Sequence, residues 1–167
     1  SASPTSICEG SYSTLMALPS GGSGTYSYKW ASNPSGLSDT TASVTVFPTV
    51  ATTYTVTVTD GYYTNTSQIN ITLNSAISAT ITPAGATTFC QGNSVTLNAN
   101  TGTGYTYLWK RDGLAISGAN ASSYIADQSC DYTALITNSG CTSTSPTEKI
   151  TVNPSPPASI TTSGQTT

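Results

Sequence analysis

The sequence predicts an all-β chain made of two tandem antiparallel β-sandwich modules, and three observations carry that prediction. Apolar and hydroxylated residues alternate at period two along several segments. Gly, Pro and Asn/Asp clusters punctuate those segments every few residues, and no window shows helical periodicity. Finally, one ordered set of landmarks occurs twice.

The strands read most clearly where the alternation is longest. Tyr54, Val56 and Val58 alternate with Thr53, Thr55, Thr57 and Thr59, which sends the first set to a buried face and the threonines to the other. Ile69, Ile71 and Leu73 repeat the pattern against Asn70 and Thr72, and Val44 and Val46 do so on a shorter segment. In the second half Val95, Leu97 and Ala99 alternate with Thr96 and Asn98. Turn signals separate these runs: Pro19 to Gly24, Asp60-Gly61, Thr101 to Gly104, Asp112-Gly113 and Ser139-Gly140. About seven short strands in ~80 residues, all antiparallel in pattern, imply two packed sheets.

The repeat sets the domain plan. Cys8-Glu9-Gly10 recurs as Cys90-Gln91-Gly92, and Tyr28-Lys29-Trp30 as Tyr107-Leu108-Trp109. Thr53-Tyr54-Thr55 recurs as Asp131-Tyr132-Thr133, and Ile71-Thr72-Leu73-Asn74 as Ile150-Thr151-Val152-Asn153. The offsets are 82 from Cys8 to Cys90, 79 from Trp30 to Trp109, 78 from Tyr54 to Tyr132 and 79 from Ile71 to Ile150. The expected modules are therefore residues 1–75 and 76–154. Residues 155–167 form a linker and the start of a third copy near Ser159-Ile160-Thr161, after the proline-rich joint Pro154-Ser155-Pro156-Pro157. Both ends read as cuts within a longer polypeptide.

Composition narrows the function classes. Charged residues make up 7% of the chain, against about 25% in ordinary soluble proteins. The polar surface is thus built from Ser, Thr, Asn, Gly and Tyr. With four basic residues, Lys29, Lys110, Arg111 and Lys149, and a net charge of −3, there is no stripe to neutralise phosphates, so nucleic-acid binding is not expected. No apolar run approaches the ~18–20 residues that span a bilayer, so membrane insertion by a helix is not expected either. The chain contains no histidine, which removes Ser-His-Asp, Cys-His and His-based zinc chemistry. Its seven carboxylates (Glu9, Asp39, Asp60, Asp112, Asp127, Asp131 and Glu148) are scattered beside turns rather than paired across a cleft. Only Asp127 and Asp131 lie close enough in sequence to suggest a weak surface calcium site. Neither an enzyme nor a cofactor is expected.

Several segments carry a resemblance. In the first module these are SGGSGTYSYKW, GLSDTTASVTV and ATTYTVTVTDG; in the second, FCQGNSVTLNA, YTYLWKRDG, DYTALITNSGC and KITVNPSP. Together they resemble the immunoglobulin-like and PKD-like repeats of large secreted and cell-surface proteins of the Bacteroidetes. The resemblance covers both modules and nearly the whole chain. It implies an extracellular or cell-surface location, often through type IX export, and a role as spacer or adhesive stalk whose partners are neighbouring modules of the same chain. It also implies a Cys-x-Gly…Gly-Cys bridge within one module, which here would be Cys90–Cys141. A carbohydrate-binding accessory module of a secreted polysaccharide hydrolase is the alternative.

On an immunoglobulin-like plan, Trp30 and Trp109 occupy the third-strand position that packs between the sheets, and Tyr54 and Tyr132 the tyrosine-corner position. The usual bridge between strands two and six is absent, because those positions hold Leu15 with Val56 and Leu97 with Ala134. Cys90 precedes strand two and Cys130 precedes strand six, so both fall at one end of the second module and Cys90–Cys130 is a geometric candidate. Cys141 follows a turn at the opposite end. If the modules stack head to tail it faces Cys8, giving Cys8–Cys141 between modules. The Cys90–Cys141 pairing stands against both. Tyr62 and Tyr63, after Asp60-Gly61, are candidate exposed aromatics for a surface glycan or protein partner, with Tyr12 a further candidate for the glycan.

Overall fold

A computed structural model describes residues 1–158; the expected third copy at Ser159 lies outside them. Every regular element among the described residues is a strand. None is a helix long and apolar enough to cross a membrane. The described residues divide into two compact units: Ser1–Ile77 with Ser139–Cys141, and Ser78–Asn138 with residues 142–158.

The first unit contains β1 (Ala2–Ser3), β2 (Ser6–Cys8), β3 (Ser13–Met16), β4 (Ser27–Asn33), β5 (Ser38–Asp39), β6 (Ser43–Val46), β7 (Thr52–Thr59) and β8 (Thr64–Asn74). One sheet has the order β1-β3-β6 and the other β2-β8-β7-β4-β5. Their facing sides share a core of Ile7, Leu15, Ala17, Trp30, Val46, Tyr54, Val56 and Ile71, which draws on both sheets. Period two explains the selection: in β7 the burial alternates through Thr52, Tyr54 and Val56 while Thr53, Thr55 and Thr57 stay half-exposed. Fully burying each such apolar side chain contributes about 1.5–3 kcal/mol.

The second unit repeats the plan with β9 (Ile81–Pro83), β10 (Thr88–Cys90), β11 (Val95–Ala99), β12 (Thr106–Arg111), β13 (Leu114–Ala115), β14 (Ser123–Ala126), β15 (Cys130–Asn138), β16 (Cys141–Thr144) and β17 (Glu148–Asn153). Its sheets are β14-β11-β9 and β10-β17-β15-β12-β13, with β16 also on β15. Two tight turns use left-handed backbone at both central positions, Asp112-Gly113 (φ 49° and 79°) and Ser139-Gly140 (φ 50° and 82°). That pattern matches the right-handed twist of the strands it joins.

One expectation is corrected here. The pairing is not wholly antiparallel: β2 runs parallel to β8, with Ser6↔Thr72, Ile7↔Leu73 and Cys8↔Asn74. Likewise β10 runs parallel to β17, with Cys90↔Asn153. The cause is that each unit's opening stretch changes sheets. Pro4 separates β1 from β2, and Pro83 ends β9. Pro4 has no N–H to continue a ladder, so the chain leaves the first sheet there and resumes on the edge of the second; past Pro83 the Ala84 N–H still donates to the Thr96 carbonyl at 2.8 Å before the chain reaches β10.

Candidate functional site

The cysteines are where sequence and structure disagree most usefully. Cys8, at the end of β2, is bonded to Cys141, with Cα atoms 5.6 Å apart and 133 residues between them in sequence. Cys90 and Cys130 are free thiols, Cys90 exposed and Cys130 half-buried. The expected Cys90–Cys130 bridge is therefore not formed, and neither is Cys90–Cys141. The sheet switch explains the first: Cys90 pairs with Asn153 on one side of β17, and Cys130 with Ile150 on its other side. Two strand spacings, about 9–10 Å, exceed the ~4.4–6.8 Å a disulfide tolerates. Burial pushes the Cys130 thiol pKa up, and a hydrogen bond to the anionic Asp112 raises it further. Asp112 itself is held below the ordinary carboxyl range, mainly by the backbone N–H of Asp131, which donates to its Oδ1 at 2.9 Å.

Both tryptophans lie in cores and use their polar edge identically. Trp30 is buried and its Nε1 donates to the Thr41 carbonyl at 2.9 Å; Trp109 is fully buried and donates to the Ala121 carbonyl at 2.9 Å. Leu15, Val56, Leu97 and Ala134 are all buried, so apolar contact fills the positions of the missing core bridge. The tyrosines differ. The Tyr132 hydroxyl donates directly to the Gln128 carbonyl, four residues upstream, at 3.3 Å. Tyr54 is instead hydrogen-bonded to the Thr52 side chain, whose Oγ1 donates to the Val50 carbonyl at 2.8 Å. Burial raises both tyrosine hydroxyls above their ordinary value.

The first unit carries an open groove of about 690 Å³. Along its sides run the Ala17–Gly22 stretch after β3 and the Thr64–Ile69 stretch of β8; Trp30, Val56 and Val58 also line it. Asp60 organises its rim. Asp60 Oδ1 accepts the backbone N–H groups of Tyr62 at 3.0 Å and Tyr63 at 2.8 Å, while Oδ2 accepts that of Ser23 at 3.0 Å. These donors hold its carboxyl below the ordinary range. The turn thereby presents Tyr62 and Tyr63, which are 86% and 80% exposed, and Tyr63 also lines the groove. A second exposed aromatic pair, Tyr12 with Phe47 at 5.9 Å between ring centroids, lies on the same unit. Sequence reasoning misses Phe47, whose only local signal is its place just beyond the Val44–Val46 alternation. Among the described residues no cluster of three or more His, Cys, Asp or Glu could hold a metal ion, so Asp127 and Asp131 gather no further carboxylate for a calcium site.

No protein-family model and no curated protein matches the chain. Solved structures do. A chain in the crystal structure of mouse coronavirus receptor-binding domain complexed with its murine receptor superposes with a TM-score of 0.54 at 16% identity, over 92% of this chain and 98% of that one. Murine CEACAM1b gives 0.48 at 17% identity, over 91% and 98%. The N-terminal four Ig domains of Dscam1 isoform 6.9 give 0.42 at 15%, over 89% of this chain and 43% of that one. At such identities the likeness is one of fold alone, and of these three it rests on the first, whose TM-score exceeds 0.5.

Proposed function

We propose that this chain is a non-catalytic stretch of immunoglobulin-like repeats, of the PKD-like kind, from a secreted or cell-surface protein, and that it serves as a spacer in adhesion. The observation that carries the reading is the Cys8–Cys141 bond, which ties Cys8 to the short segment Ser139–Cys141 that packs with the first unit, 133 residues away in sequence. A bond of this kind closes a long loop and suits an oxidising compartment. The chain has no histidine to serve as a base, and the carboxylates of Asp39, Asp60 and Asp112 are engaged by backbone N–H groups. Partners are then neighbouring modules of the same polypeptide. Small-angle scattering of the oxidised chain against Cys8→Ser tests the reading. The oxidised form is expected to show the narrower distribution of dimensions; superimposable curves would sink it.

A second reading rests on Tyr62 and Tyr63. Two adjacent tyrosines that remain more than three-quarters exposed beside a groove suit stacking on a sugar ring. Glycan arrays and pull-down on insoluble polysaccharide separate the readings. Binding that disappears in the Tyr62→Ala/Tyr63→Ala double variant favours an accessory carbohydrate module, whereas no retention on any glycan favours the spacer.

A further inference from the structure

The groove of the first unit has a filled counterpart in the second, and the comparison identifies what fits it. Ala2 pairs with Leu15, and the Met16 N–H donates to the Ser1 carbonyl at 2.8 Å. In the second unit Pro83 pairs with Leu97 and Thr82 with Asn98. Ser1 thus occupies the place of Thr82, and the chain entering the second unit continues the strand backwards through Ile81, Thr80, Ala79 and Ser78. That lead-in is built into its surroundings. The Ala79 N–H donates to Ser143 Oγ at 3.3 Å, the Thr80 N–H donates to Asn100 Oδ1 at 2.8 Å, and Asn100 Nδ2 donates to the Ser78 carbonyl at 3.0 Å. Ala79 is buried between these anchors.

The matching anchors of the first unit are Leu18, 82 positions before Asn100, and Asn65, 78 positions before Ser143. Both are exposed, and both line the groove. The floor tells the same story. Ile136 is fully buried in the second unit, whereas Val58, its counterpart 78 positions earlier, is only half-buried in the first. The groove therefore has the position and apolar floor of a strand seat that the second unit fills with a small residue.

We propose that this groove is the seat of a lead-in strand joined directly to Ser1 and continuing β1 backwards in the β1–β3 register, with a small apolar residue set over Val58 between Leu18 and Asn65. Strand addition of this kind draws its affinity from backbone hydrogen bonds and its selectivity from alternate side chains. The inference is independent of the spacer reading, because it concerns only the completion of one fold.

The test extends the chain ahead of Ser1 by Ile-Ser-Ala-Thr-Ile, a copy of residues 77–81, and follows unfolding by differential scanning calorimetry. The second unit's transition serves as an internal reference. The expected result is a rise of about 5 °C in the first unit's Tm, the size that one added kcal/mol gives a module this small. An extension carrying aspartate in place of its alanine should lose that rise. An unchanged Tm, or an equal rise with aspartate, overturns the seat. If the free pentapeptide added in trans reproduces the full rise, the joined source is overturned in favour of a separate strand.

Discussion

The two units share a strand plan but differ in how completely each fills the space between its sheets. In the second, Trp109, Tyr132 and Ile136 are all fully buried. Tyr124 links the first two through ring contacts, its centroid lying 5.7 Å from each. In the first, Trp30 floors an open groove, and Tyr54 reaches the backbone only through Thr52. The same landmarks thus support one closed interior and one open one. The difference lies in what covers the landmarks rather than in the landmarks themselves.

The largest expected effect tests that contrast in the cores. Trp109→Ala should cost about 3–5 kcal/mol, the range for emptying a closed aromatic site. Trp30→Ala should fall at the lower end, because a site opening on a groove leaves no sealed cavity. Urea denaturation followed by circular dichroism gives both numbers, and equal losses would break the contrast. Next in size, Cys8→Ser should remove about 2–4 kcal/mol, read as a lower Tm, while Cys90→Ser should leave Tm unchanged. Peptide mapping without reductant should recover Cys8 joined to Cys141. It should also show Cys90 alkylating quickly and Cys130 slowly, since Cys130's raised pKa leaves little thiolate at neutral pH.

Smaller effects sharpen the comparison. Tyr132→Phe removes a direct bond to backbone and should cost about 1 kcal/mol; Tyr54→Phe should cost less, since Thr52 keeps its own bond to Val50. Both hydroxyls titrate above their unfolded value. Their contribution is therefore complete below pH ~10 and is lost as pH rises through the folded pKa. Each Phe variant should flatten the decline of stability on the alkaline side of pH 10. The smallest effect concerns the rim. Asp60→Ala should speed amide exchange at Tyr62 and Tyr63 with little change in Tm. In the parent chain protection of these two amides, relative to intrinsic exchange at the same pH, should be lost as pH falls through Asp60's depressed pKa, because the carboxylate form makes those bonds.

Much of this architecture is legible in the sequence because period two is a local signal. The burial of Tyr54 and Val56 in β7 and of Val95, Leu97 and Ala99 in β11 follows from alternation alone. The parallel strands β2 and β10 are not legible: three residues each, Ser6–Cys8 and Thr88–Cys90, are too few to show a period. That one omission propagates, since missing β10 beside β17 is what makes Cys90 and Cys130 look like neighbours. The candidate site was legible in part. Tyr62 and Tyr63 stand out because they follow a turn signal, whereas the Tyr12–Phe47 pair and the groove join segments far apart in sequence.

The parallel pairing of β2 with β8 has a mechanical consequence. The first unit's entering and leaving strands lie side by side and point the same way, joined at Ser6↔Thr72, Ile7↔Leu73 and Cys8↔Asn74. Tension applied to the two ends of such a unit pulls these strands past one another along their length. Every hydrogen bond of the short ladder is then loaded together, instead of being peeled open one at a time. The second unit repeats the arrangement with β10 and β17.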